Sequence, residues 1–127
     1  MRETNLVKRY WDVFEEICAI SKKYLAVLLD DDSRKLKFTH TLIRRNRSLA
    51  EELSELSFQL GLGRLSQREI TVFLNNVFDR RTRRVYRKIA KRHKRNPISV
   101  IELHEEAMRQ IEKSQKRRKK RQDAPVA

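Results

Sequence analysis

Apolar positions recur at helical spacing almost from the start of the chain. Val7, Tyr10, Trp11, Phe14, Ile17, Cys18, Leu25 and Leu28 share one side, opposite a line of Lys8, Asp12, Glu15, Glu16, Ala19, Lys22 and Lys23. The spacing predicts a helix over 5–29 whose apolar face is wide enough to touch two neighbours. Asp30, Asp31, Asp32 and Ser33 break the pattern. Acids favour the start of a helix over its end, so Asp32 or Ser33 is the expected N-cap of a second helix. That helix spans 34–60, with Leu42, Asn46, Leu49, Leu53, Leu56 and Leu60 stepping by four and three. This is a heptad seam with one polar member, Asn46. Gly61 and Gly63 end it, a glycine being suited to the left-handed residue after a helix.

Ser66 and Glu69 stand at capping-box spacing and open a third helix. Its stripe is Ile70, Phe73, Leu74, Val77 and Phe78, continued by Val85 and Ile89. Asn96 and Pro97 close it and start a fourth helix, with Pro97 in the first turn and Ile98, Ile101, Leu103, Met108 and Ile111 as a weaker stripe. No strand-type alternation competes with these periods. The expected fold is all-α, an antiparallel up-down four-helix bundle with a disordered basic C-terminal tail. Residues 1–112 form the bundle domain and 113–127 the flexible tail, disordered or a helix that forms only on a partner, since no apolar residue follows Ile111 until the terminus.

Charge changes this picture most. The formal net charge is +14. Arg80 to Arg95 contains ten Lys/Arg and Lys113 to Arg121 contains seven, neither with an acid. The other 102 residues hold 14 basic and 17 acidic side chains, a balance of −3. Self-repulsion on this scale is offset by a polyanion, which makes nucleic acid the expected partner. The candidate phosphate contacts are Arg80, Arg81, Arg83, Arg84, Arg87, Lys88, Lys91, Arg92 and Arg95. Arg44, Arg45 and Arg47 extend them, and Lys116, Arg117, Arg118, Lys119, Lys120 and Arg121 add a flexible second contact. Arginine outnumbers lysine 19 to 12, and guanidinium forks suit phosphate oxygens. If helix two begins where helix three ends, the 34–47 and 80–95 segments make one basic surface, with the tail toward the opposite end. Tyr86, inside the basic run, is either a core residue or a platform for a base.

The remaining chemistry is sparse. One cysteine, Cys18, excludes an internal disulfide framework and fits a reducing compartment, hence a cytoplasmic location, or a nuclear one in a host with a nucleus. The tail also reads as an import signal or a lipid anchor. A membrane partner is not expected, because neither a span nor a second anchoring signal accompanies the tail. No phosphate loop, zinc pattern or nucleophile motif occurs, so no cofactor, metal or catalytic residue is assigned. Leu60 to Glu69 superficially resembles a helix-turn-helix, but Ile70, Val72, Phe73 and Leu74 would then occupy the reading face.

Arg87 and His93, with five residues between them, resemble the Arg-x(4–6)-His motif of HEPN-type ribonucleases, which are also small helical bundles. That resemblance implies RNA cleavage carried by those two residues, with His40 as a second acid–base group if the helices align as expected. In size, helix number and basicity the chain is also similar to the accessory bundle proteins of diversity-generating retroelements and to small helical subunits of RNA-guided complexes. The preferred reading is a small non-enzymatic nucleic-acid-binding protein, RNA or DNA, acting as an accessory subunit of a nucleic-acid-processing complex. The alternative is an oligomerisation or interaction module that pairs through the helix-two seam with a second copy or another protein.

Overall fold

The computed structural model describes the backbone of residues 2–28 and 34–123 and the side chains of 5–26 and 40–119. The described residues form five helices and no strand: α1 (Arg2–Leu28), α2 (Arg34–Gln59), α3 (Gln67–Phe78), α4 (Arg80–Arg92) and α5 (Val100–Asp123). The expected N-caps Asp32 and Ser33 lie outside the described residues.

α1 and α2 run in opposite directions along a shared seam. The Arg9 guanidinium bonds Glu52, and Arg45 reaches Glu16 at 3.1 Å, so residue numbers rise on one helix as they fall on the other. The α2 heptad turns inward: Leu42, Asn46, Leu49, Leu53 and Leu56 are all buried, against α1 and α3. Asn46 Nδ2 donates to Ser21 Oγ at 3.1 Å, and that hydroxyl donates to Ile17 O.

α2 ends as its glycine predicts. Gly61 has φ +76°, the Leu62 N–H bonds Ser57 O at 2.9 Å and the Gly61 N–H bonds Phe58 O. This pairing satisfies carbonyls that the last helical turn leaves open. The Ser54 hydroxyl then accepts the Leu65 N–H, tying the loop back to α2. Ser66 and Glu69 form the reciprocal capping box.

The up-down four-helix arrangement does not form, because the third helix is two helices. Asp79 ends α3 and caps α4: its backbone is extended (φ −73°, ψ 123°) and Oδ2 accepts from both Thr82 N and Thr82 Oγ1. An aspartate cap at that point lets the chain turn back on itself. Phe73 then faces Tyr86 across the corner at 5.8 Å between ring centroids. A second boundary also shifts. α4 stops at Arg92, and Pro97 lies in the linker ahead of α5. Ser99 does the capping there, accepting Glu102 N–H at 3.1 Å. Finally, 113–123 is no disordered tail: α5 continues through it to Asp123.

The core is assembled from α1 (Tyr10, Val13, Phe14, Ile17), α2 (Leu49, Leu53), α3 (Ile70, Phe73, Val77), α4 (Tyr86, Ile89) and α5 (Leu103, Ala107). A file of rings runs through it, Trp11 to Phe14 to Phe73 to Tyr86, with centroids 5.8 to 6.2 Å apart. The polar ends of two rings find backbone partners: Tyr10 OH donates to Ile98 O and Trp11 Nε1 to Lys94 O. These bonds hold the linker after α4 against the N-terminal half of α1.

Candidate nucleic-acid interface

α4 is the most strongly two-sided helix of the fold. Thr82, Tyr86, Ile89 and Ala90 face inward, while Arg80, Arg84, Arg87, Lys88, Lys91 and Arg92 are exposed. Arg95, in the following linker, is exposed too. Arg83 is different. It is only 8% exposed and sits beside Cys18, with Nη1 buried and unpartnered. Burial, then the neighbouring arginines Arg80, Arg87 and Arg84, weaken its hold on its proton. Arg83 therefore leaves the set of surface phosphate contacts. Burial likewise pushes the Cys18 thiol up to about 12, so it is neutral and inert.

Tyr86 is fully buried and is a core residue rather than a platform for a base. Its hydroxyl meets His104 Nδ1 at 2.6 Å, and Asn76 Nδ2 approaches the same nitrogen at 3.4 Å. Burial raises the Tyr86 pKa well above its usual value, so the phenol keeps its proton. In the neutral Nε2–H tautomer, His104 Nδ1 accepts from both groups. Burial holds the His104 pKa below its usual value, and two donors aimed at Nδ1 act in the same direction.

α4 and α5 also run in opposite directions. Arg92 and His93 approach Glu106 at 4.0 and 3.7 Å, and Arg81 Nη2 bonds Ser114 Oγ at 3.1 Å. The tail therefore does not lie away from the α4 run. Antiparallel packing carries it alongside the first turns of α4. Between the two helices lies an open groove of about 390 Å³. Arg81 and Lys88 line it from α4, Lys113 and Arg117 from α5, and Val85 and Ile111 supply an apolar floor. No acid lines it. Lys116, Arg118 and Lys119 are exposed just outside; the side chains of Lys120 and Arg121 lie outside the described residues.

The other expected juxtaposition fails. Arg44, Arg45 and Arg47 are exposed, but α2 packs on α1 and α3 while α4 packs on α1, α3 and α5. Two acids of α1 separate the clusters: Glu16 pairs with Arg45, and Glu15 pairs with Arg87 at 3.4 Å. Arg47 is engaged with Gln67 at 2.6 Å. The turn at Asp79 is the cause, since it makes α4 run parallel to α2 and brings Lys94 to Trp11. The same turn separates the histidines. His93 lies toward the N-terminal half of α1, whereas the α1–α2 register carries His40 toward its C-terminal half. Arg87 and His93 are held by acids on different helices, Glu15 of α1 and Glu106 of α5.

Gln110, Lys113 and Ser114 are the groove residues that sequence reasoning passed over. Lys113 and Arg117 lie one helical turn apart, as do Arg81 and Val85; Val85 is the first apolar residue of α4 and Ile111 the last of α5. The signal was an apolar stripe that ends among cations. No known protein family matches the chain, and neither does any curated protein or solved structure. Among the described residues no helix is long and apolar enough to cross a membrane.

Proposed function

We propose that the protein binds nucleic acid through its phosphate backbone, seated on the α4–α5 groove, as an accessory subunit with no chemistry of its own. One observation carries the reading. Two basic segments far apart in sequence converge on a groove with four cations and no acid. Their mutual repulsion is a standing cost that a line of phosphates would relieve. The exposed cations Arg80, Arg84, Lys91, Arg95, Lys116, Arg118 and Lys119 widen the footprint. Arg44, Arg45 and Arg47 belong to a separate, partly neutralised face and make a secondary contact at most. A reducing compartment, cytoplasmic or nuclear, accompanies the reading.

Neither alternative gains support. The helix-two seam, which would have paired with another chain, is filled by α1 and α3. Arg87 and His93 pair with acids on different helices, Glu15 and Glu106.

The test is a polarisation titration with DNA and RNA across salt. Engagement of four phosphates gives a slope of log affinity against log salt of about −3.6 for a duplex. Affinity that does not respond to salt, or no binding near 50 mM, removes the reading.

A further inference from the structure

α5 outlasts its partner helix, and its cations encircle it. Gln115, Lys116, Arg117, Arg118 and Lys119 are consecutively exposed, more than a full turn, so no face of this part of α5 is buried, although Arg117 borders the α4 groove. At about 100° per residue, Lys113, Arg117, Arg118, Lys119 and Lys116 fall in succession around the whole circumference, with no gap wider than about 100°. No apolar residue interrupts residues 112–123. An amphipathic membrane helix has an apolar face and a cationic face, and a helix docked on protein has an apolar seam. This one has neither.

A flat anionic surface, or a single strand, touches a helix along one side. Cations on every side are matched by a partner that flanks the helix on two sides at once. The major groove of B-form DNA does so, with a phosphate wall on each edge. Its width of about 12 Å admits a helix about 10–12 Å across. The major groove of A-form RNA is too deep and narrow to admit one.

Resting on the phosphate-binding reading above, we propose that the basic end of α5 seats in the major groove of duplex DNA, while Arg81 and Lys88 of α4 hold the backbone on one edge. Residues 113–123 span about 16 Å, roughly half a helical turn of the duplex. The cations on the α4 side of α5, Lys113 and Arg117, face one phosphate wall. Arg118 and Lys119, on the opposite side, face the other.

Full-length protein is titrated at one salt concentration against a 20-base-pair DNA duplex, the RNA duplex of the same sequence, each single strand, and phosphatidylcholine vesicles containing phosphatidylserine. The DNA duplex is expected to bind at least about tenfold more tightly than the others. Dimethyl sulfate probing is expected to show protection of guanine N7, which lines the major groove. Arg118→Glu with Lys119→Glu, which leaves the α4 groove untouched, is expected to weaken duplex binding about 10²-fold and abolish the preference. Equal affinity for RNA duplex or single strands, unprotected N7, or an unaffected Arg118→Glu/Lys119→Glu variant overturns the proposal while leaving phosphate binding intact. Binding to vesicles alone, or to nothing, overturns both.

Discussion

The α1–α2 pair and the α4–α5 pair are both antiparallel helix pairs, yet they treat charge in opposite ways. Along α1–α2 the apolar seam runs the length of the described contact, from Leu42 to Leu56 on one helix and from Tyr10 to Ile20 on the other. Cations at its margins meet acids, Arg9 with Glu52 and Arg45 with Glu16. Along α4–α5 the apolar contact thins after Ala107, and the last interhelical bond is polar, Arg81 to Ser114. Beyond it no ion pair joins the two helices among the described residues. Where a helix pair serves only the fold, opposite signs at its edges come at little cost. Where the sequence leaves sixteen residues without an acid, a few tenths of a kcal/mol of repulsion accumulate for each like pair a turn apart. That pattern is intelligible if a partner supplies the missing charge.

The comparison breaks most sharply through the core. Leu53→Ala should lower unfolding free energy by about 2–5 kcal/mol in a denaturant titration, because Leu53 is fully buried between helices. Lys119→Ala at the free end of α5 should move the same titration by less than about 0.5 kcal/mol. If the two costs are similar, the contrast between a structural and a functional pair is wrong. Arg81→Glu with Lys88→Glu should reverse the order. Nucleic-acid affinity falls about 10²- to 10³-fold at low salt and the salt slope shrinks by about two, while the unfolding midpoint stays level or rises as repulsion is relieved.

Smaller effects sharpen the boundary between core and groove. Tyr86→Phe removes the short bond to His104 and leaves Nδ1 facing only Asn76. A loss of about 1–2 kcal/mol is expected, read by thermal unfolding. His104 supplies a pH signature. Its pKa is lowered in the fold, so between that value and the unfolded value near 6.5 the unfolded chain binds more protons. The stability it contributes is complete above about pH 6.5 and is lost as pH falls through the folded pKa. His104→Gln should flatten that part of the profile, and a profile unchanged by the substitution would show the ring to be freely solvated. Last, a double-mutant cycle on Arg9 and Glu52 should return the smallest coupling of the set, since solvent reaches and screens the pair.

Much of the fold is legible in local signals. The α2–α3 turn follows from Gly61, which adopts the left-handed conformation expected after a helix, and from the Ser66–Glu69 box. Tyr10, Trp11 and Phe14 are in the core because they share an apolar stripe. Asp79 was missed because Phe78 and Val85 continue a plausible helical stripe across it, with neither glycine nor proline to mark a break. An aspartate with a threonine three residues on is a weak stop signal, and it wins here because the turn lets Tyr86 and Ile89 join Phe73 in one core. Arg83 was placed on the surface by its neighbours in sequence; only the angle at which α4 meets α1 buries it beside Cys18.

The sequence by itself determined the helical periods, the caps at Ser66, the stripes that become the core, and the two segments that hold the excess charge. Each of these depends on residues within a turn or two of one another. The tertiary structure alone decided which segments meet. It separated Arg45 from Arg87 by the acids of α1, paired Arg87 and His93 with different acids, and brought Lys113 and Arg117 beside α4. The reason is physical: neighbours in space are chosen by burial of stripes far apart in the chain, and exposed cations, which bury nothing, carry no signal of where they will be carried.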